Sequence, residues 1–444
     1  MFVKKGIIIA LIFASLAVAQ EPDDVIKRKG RYGFKVNKRP PVNFSVFVDY
    51  TDKGWYPQVH TAVSVLNDVL SFEKIGQTYE ARYQVTAAIL KDDEALLNES
   101  WQESVILQTF KETNARTKYQ YTRYIFDDLR PQGNKRLSSG EYELFVEIRD
   151  LNSRKTLSKK QRRTFFVQKP DSLYDTSSDT LRSTPIAFLK TDTVEYGKPL
   201  PQFASGKTLL FNHSGYAYVH FHPSASGELA ELNMRIYREE NGDRILMYQE
   251  FLSFKDSVQN NRGIFTLPKD SLSEGQYILR IDAASGKTPL SLSKNFNVVW
   301  FDKPVYLYRK DLAIRPMVYL LPESKFDEVK DLGIDELRQW FDSYWKKKDP
   351  TKKTVYNELL YTFFNRVDIA NRRFNKPYKE GWQTDRGKIF LLYGPPHEVD
   401  NHSYATSGKP YVVWHYNNPD KKFIFVDENN DDEFKLLKDQ EKDR

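Results

Sequence analysis

Cysteine is absent from all 444 residues. Disulfides, thiolate chemistry and a lipid-modified N-terminal cysteine are therefore excluded. An oxidising compartment would not trouble such a chain. After the first nineteen residues no apolar run is long enough to span a bilayer as a helix. No G-x-S-x-G elbow, P-loop or dinucleotide fingerprint occurs, and no H-x-x-x-H pair places two histidines on one helix face. A large excess of one charge is missing too. The 67 Lys and Arg against 60 Asp and Glu leave +7, and removing Lys4 and Lys5 with a leader takes +7 to +5. That is mild for this length. The basic clusters Lys27-Arg28-Lys29 and Lys159-Lys160-Gln161-Arg162-Arg163 read as solvated strand ends and tail, with no nucleic-acid partner implied.

What is present begins with an export signal. Lys4 and Lys5 give a basic start, Gly6 to Val18 is apolar, and Ala17-Val18-Ala19 is an A-x-A site. Cleavage is expected after Ala19, leaving Gln20 first. The expected destination is the periplasm or outer cell envelope, with no transmembrane segment once the signal is gone. The length suggests about three domains.

A flexible, polar leader is expected over 20–40. From Val42 the pattern alternates with period two, as in Phe44, Val46 and Val48. Further strands are predicted at Tyr79–Leu90, Val105–Phe110, Tyr119–Phe126, Glu141–Asp150 and Thr164–Val167, giving a β-sandwich domain over 41–168. A Ser/Thr/Asp-rich linker over 169–185 precedes a second sandwich over 186–300. The grammar of the first recurs there. Ser139-Gly140-Glu141-Tyr142 corresponds to Glu274-Gly275-Gln276-Tyr277, Asp150 to Asp282, and Phe165 to Phe296. The expected fold is mainly β: two tandem immunoglobulin-like antiparallel β-sandwiches, then a helical segment packed on a small antiparallel sheet. This C-terminal α+β domain covers 304–437, with a polar tail over 438–444. Its first helix is predicted over Gly333–Trp345, on the stripe Ile334, Leu337, Phe341 and Tyr344. A second is predicted from an Asp349-Pro350 start to Phe374, on Val355, Leu359, Phe363, Val367, Ala370 and Phe374. Lys388–Tyr393, an apolar run of strand length, is predicted as a strand, followed by strands at Pro410–Tyr416 and Lys422–Val426.

One stretch departs from generic β grammar. Gly381-Trp382-Gln383-Thr384-Asp385 places a permissive glycine, a large aromatic anchor and two turn-capping side chains in a row. Arg386 is suited to bidentate carboxylate pairing, and Gly394-Pro395-Pro396 stops the chain after the apolar run. These residues match the GWxTD signature. With Ala370-Asn371-Arg372-Arg373-Phe374 before it and Arg386 to Pro396 after it, the stretch resembles the GWxTD family over roughly residues 310–437. The resemblance implies a bacterial exported protein of uncharacterised activity. His397 departs from the acidic residue commoner at that position.

Two functional readings follow. In the first, no cofactor is needed. The sandwiches act as spacer and docking modules, and the C-terminal domain binds a protein or glycan of the envelope. Its contact surface is the signature, Gly381, Trp382, Thr384, Asp385 and Arg386, with Gly394, Pro395 and Pro396. In the second the domain is a periplasmic hydrolase or metal-dependent enzyme. Asp385, His397 and Glu398 would then converge as acid–base or ligand groups; His402, His415 and Asp400 lie close by in sequence. The readings differ in whether those side chains meet in one pocket. Asp427, Asn429, Asp431 and Glu433 put oxygens at alternate positions, as calcium loops do, though Asp432 stands where an EF-hand has glycine. His220 and His222 alternate on one strand and are expected on the polar face of a sandwich.

Overall fold

The computed structural model describes residues 26–29, 35–51, 56–127, 137–157, 161–168, 182–189, 207–222, 229–253, 258–259, 262–285, 288–301, 303–403, 408–417 and 419–437. The expected export signal, positions 169–181 of the expected linker and the expected polar tail lie outside them. Part of the expected flexible leader is ordered: Ile26–Lys29 pairs antiparallel with Lys35–Lys38.

Residues 42–167 form two antiparallel sheets closed over one core. One sheet runs Val42–Tyr50, Pro57–Leu66, Tyr119–Phe126. The other runs Gln161–Val167, Gly140–Asp150, Thr78–Lys91, Glu94–Leu107. Inward residues of both, such as Phe44, Val63, Val85 and Leu144, share the core, as period-two alternation requires. The expectation of a strand at Val105–Phe110 was too narrow. That strand starts at Glu94, and Thr109 caps a helical turn at Phe110–Thr113. Thr109 and Glu112 form a capping box, whose T-x-x-E spacing stands in the sequence.

Residues 187–299 repeat the arrangement. One sheet runs Ala187–Leu189, Gly215–His222, Arg262–Leu267. The other runs Thr288–Val299, Gly275–Ser285, Leu229–Glu240, Asp243–Ser253. For these strands the order along each sheet is that of the first unit, and Thr208–Leu210 adds a parallel edge strand beside Thr288–Val299. The shared grammar has a shared cause. The Tyr142 hydroxyl donates to the Ser138 carbonyl at 2.8 Å, and the Tyr277 hydroxyl donates to the Ser273 carbonyl at 2.9 Å. Each ring then stacks on its cross-strand partner, Phe165 or Phe296. The Asp150–Asp282 correspondence does not extend to roles. Asp150 is buried and accepts from the Ser71, Asn152 and Ser153 backbone N–H groups. Asp282 pairs with Arg235 and Arg280.

The two sandwiches meet through their smaller sheets. Phe47, Ala62, Ala187, Leu189 and Tyr218 form a separate apolar cluster there. Asp49 sits within the seam. It accepts from the Tyr218 hydroxyl at 2.8 Å, lies 2.7 Å from His220 Nδ1 and accepts from the Tyr50 N–H at 2.8 Å. Burial raises the Asp49 pKa, but the His220 and His60 rings and the Tyr50 N–H outweigh it and hold the carboxyl below its usual range. The expected polar, solvated face for His220 is therefore corrected. That face is covered by the other sandwich, and the imidazole is 1% exposed. The side chain of His222 lies outside the described residues.

The C-terminal domain follows. Ile334–Lys348 and Glu358–Arg373 are its longer helices, and its sheet runs Glu398–His402, Tyr411–Asn417, Asp420–Asp427, Phe434–Leu436. Two helix expectations change. Ile334 is exposed and Trp345 takes the core position, beside Leu337 and Phe341. The second helix begins later than Asp349-Pro350, because Asn357 is the N-cap, accepting from the Leu360 N–H; Val355, ahead of the helix, and Leu359, in its first turn, are both exposed. Lys388–Tyr393 is not a strand. Asp385–Tyr393 is a helix, with Gly387, Ile389, Phe390 and Leu391 buried. The domain is seated on the second sandwich. The Trp300 ring packs among Phe211, Tyr356 and Tyr361, the Val355 N–H donates to the Asp270 carbonyl, and Lys303 pairs with Glu274 at 2.7 Å. Among the described residues no helix is long and apolar enough to cross a membrane.

Candidate functional site

The signature is a joint between two helices. After the long helix Glu358–Arg373, the chain makes a short turn at Gly381–Gln383 and enters the signature helix Asp385–Tyr393. Gly381 lies against the backbone of Ala370 and Asn371, and Gly387 lies against the Gly381 carbonyl. A Cβ at either position would collide with main chain rather than a yielding side chain. The two glycines thus set how closely the turn approaches both helices.

Each remaining signature residue holds a neighbour. Trp382 is buried, and its indole N–H donates to the Tyr306 hydroxyl at 2.9 Å and to Glu380 at 3.0 Å. Its backbone N–H donates to Asn371 Oδ1 at 3.1 Å. Glu380 also accepts from the Tyr306 hydroxyl at 3.0 Å and pairs with Arg315 at 3.3 Å. The Arg315 guanidinium lies over the Trp382 ring. Thr384 is the N-cap of the signature helix: its hydroxyl accepts from the Gly387 N–H at 3.0 Å and donates to the Gly381 carbonyl at 2.8 Å. Asp385 accepts from the Leu436 N–H at 2.8 Å and so ties down the last strand. Arg386 lies between the Phe374 and Phe434 rings, 5.2 and 4.3 Å from their centroids. The helix ends where Gly394 takes φ +82° and Arg366 donates to the Leu391 and Leu392 carbonyls.

The proposed acid–base residues have separate duties. Asp385 abuts Phe434–Leu436, one edge strand of the sheet, whereas Glu398 lies on Glu398–His402, the opposite edge. Three strand spacings, about 14 Å, lie between those edges. His397 Nδ1 accepts from the Asn417 N–H at 3.3 Å. His415 faces Asp400 instead, with Nε2 to Oδ2 at 2.8 Å, and His402 stacks on Tyr411. The calcium candidate is a self-satisfied turn. Asp427 accepts from the Asp431 and Asp432 N–H groups, Asp431 accepts from the Glu433 N–H, and Glu433 binds Tyr378 and Lys379. Asn430 and Asp432 adopt positive φ. Among the described residues no group of three His, Asp or Glu could hold a metal ion.

The arrangement does leave an opening. A cleft of about 220 Å³ lies beside the signature, lined by Arg373, Phe374 and Arg386 on the helical side. Pro396, Val399, Asn401, Ser403, Val412 and Trp414 form the sheet side, and Asp432 and Phe434 close it. Burial pushes the Arg386 guanidinium below its usual pKa, against the pull of Asp432 and Asp427. Its nearest polar contact is the Asp432 carbonyl at 3.5 Å. The Asp432 carboxylate is turned to Lys376 at 2.9 Å. Sequence reasoning named Arg386 and Pro396 but missed Arg373, Glu380 and Tyr306. Arg373 lies in the quoted Ala370–Phe374 stretch, so that signal was available. The Tyr306 contact is tertiary and has no local signal.

Residues 275–444 match the family model of the GWxTD domain. The match starts at Gly275, inside the second sandwich, and so includes that sandwich's last hairpin and Trp300, whose ring packs on Tyr356 and Tyr361. No curated protein matches the sequence. Among solved structures, a crystal structure of trypsin-activated α2-macroglobulin from Escherichia coli is similar at 11% identity and a TM-score of 0.20. The similarity covers 62% of this chain and 18% of that one, and a likeness this loose carries no argument.

Proposed function

We propose that this chain, which carries a GWxTD domain, is an exported cell-envelope binding or assembly protein. Its sandwiches serve as spacer and docking modules, and the C-terminal domain meets a protein or glycan partner. One observation carries the reading. Gly381, Trp382, Thr384 and Asp385 of the signature hold the joint together, while the cleft beside them is lined by Arg386 and Arg373 and by the aromatic side chains of Phe374, Trp414 and Phe434. A hydrolytic reading finds less support, because Asp385 and His397 accept from different backbone N–H groups and Glu398 lies on the sheet edge opposite the strand Asp385 holds.

Photo-crosslinking in the host tests it. The photoreactive residue replaces Val399, half-exposed in the cleft, or Ile334, exposed on a helix away from it. A discrete adduct from position 399 in the envelope fraction, absent from position 334, is expected. Absence of any adduct at 399 would contradict the proposal. Sequencing the same preparation checks export, with Gln20 expected as the first residue.

A further inference from the structure

The seam between the two sandwiches is built unlike either core. Its apolar cluster, Phe47, Ala62, Ala187, Leu189 and Tyr218, is far smaller than the cores on its two sides. Beside that cluster the contacts are polar. The Tyr218 hydroxyl and the His220 ring, both of the second sandwich, reach across to Asp49 of the first, at 2.8 and 2.7 Å. Apolar burial stabilises in proportion to area. The seam therefore opens at lower free-energy cost than either core.

His60 stands at this junction. It pairs across strands with Phe47 and Ile125, and it shares a sheet face with Ala62, two residues on. That face is the one the second sandwich covers. His60 is 5% exposed. Its ring centroid lies 6.3 Å from that of Phe47, which meets the Tyr218 ring edge-on at 5.7 Å. Charged groups act on it from the strands around it. Asp49 comes from Val42–Tyr50, Arg123 from Tyr119–Phe126, Asp127 from just beyond that strand, and Arg262 from the second sandwich. Tyr218 and His220 are joined to the group through Asp49. Burial works against a charged imidazole, Asp49 and Asp127 favour it, and Arg123 and Arg262 oppose it; the balance holds His60 down to about 4.

We propose that the seam is an acid-opened hinge, in which a proton on His60 separates the first sandwich from the second while both stay folded. The C-terminal domain is seated on the second sandwich through Trp300. Opening thus frees the first sandwich from the rest of the chain and leaves that seat intact. In the open form His60 meets water and regains an ordinary pKa of about 6.5. The open form takes up the proton more readily, so the closed form loses ground as the pH falls from about 6.5 toward about 4. Between pH 7.5 and 5 the ratio of open to closed should rise about thirtyfold. Asp49, held below the usual carboxylate range, stays charged over that window and contributes little to the change.

The lack of cysteine makes a single introduced thiol an unambiguous reporter. Ala62→Cys and Ala187→Cys place one on either side of the seam. Ala81→Cys and Ala217→Cys place one in each core. Each full-length variant is reacted with 4,4′-dithiodipyridine at pH 7.5 and 5, and its rate is divided by that of the same variant unfolded in urea at the same pH. The seam thiols should react at least about tenfold faster than the core thiols at both pH values, because the seam opens with the sandwiches folded. Their normalised rates should rise about thirtyfold on acidification, and His60→Gln in the same variants should abolish that rise. Because each variant is compared with itself at two pH values, a uniform loosening by a substitution leaves the comparison valid. Seam thiols no faster than core thiols would make the opening global unfolding and overturn the proposal. So would seam rates that do not rise at pH 5, or a rise that survives His60→Gln.

Discussion

A methyl group at Gly387 would drive the start of the signature helix away from the Gly381 carbonyl. Overpacking against main chain costs more than overpacking against a side chain that can rotate, so Gly387→Ala should destabilise the domain by about 3 kcal/mol. Thr384→Ala removes the N-cap and the bond to the Gly381 carbonyl and should cost about 2 kcal/mol, with Thr384→Ser close to neutral. Urea unfolding of the three variants checks that order. These roles were half legible. The sequence marked Gly381, Trp382, Thr384 and Asp385 as special and assigned them turn, anchor and cap chemistry. It could not disclose that Gly381 touches Ala370, because a close approach between a helix and a turn eleven residues later is set by packing. Nor could it disclose that Trp382 would share Glu380 with Tyr306 and Arg315.

Among the elements, the signature helix teaches most about reading a sequence. Ile389-Phe390-Leu391-Leu392-Tyr393 has neither period two nor period 3.6, because residues on several sides of the helix are buried. A short apolar run of that kind fits a buried strand or a buried helix equally. The deciding signal was upstream, where Thr384 followed by acidic Asp385 is a helix start. The long helix was better marked, since Phe363, Val367 and Ala370 keep its periodicity and are buried. Its polar face holds Asp368, which accepts from the Val305 N–H at 2.9 Å. Burial pushes the Asp368 carboxyl up to about 6, against the Val305 N–H and Arg372. A raised carboxylate pKa makes the folded state take up a proton more readily than the unfolded chain. Asp368 therefore costs little at pH 4, and its cost grows as the pH rises through about 6. Asp368→Asn keeps an acceptor without the charge. It should raise stability at pH 8 by about 2 kcal/mol and give no gain below pH 4, measured by denaturant unfolding at both pH values.

At the scale of the whole molecule, the chain is mostly β, with two sandwiches of one strand order leading to the α+β domain. Strand alternation and the repeated glycine–tyrosine grammar made that plan legible. The seam between sandwiches was not, because His60, Asp49 and His220 look like ordinary strand polar residues until another sheet covers them. Burial depresses the His60 pKa to about 4, with Asp49 and Asp127 opposing and Arg123 and Arg262 assisting. The unfolded chain protonates this histidine first. Stability is therefore complete above about pH 6.5 and falls as the pH drops toward about 4, by about 3 kcal/mol. Protonation of Asp49, whose folded pKa is lowered, removes more at still lower pH. His60→Gln should flatten the upper part of that acid loss, measured as unfolding free energy from pH 7 to 5. The account's central claim is a division of labour: the signature holds the fold, and the cleft beside it binds. Hydrogen exchange by mass spectrometry on the full chain, with Gly387→Ala and Arg373→Gln in parallel, tests this most directly. The account predicts faster exchange from the long helix through Phe434–Leu436 in Gly387→Ala, unchanged sandwiches, and a normal pattern in Arg373→Gln. Native protection throughout Gly387→Ala would contradict it.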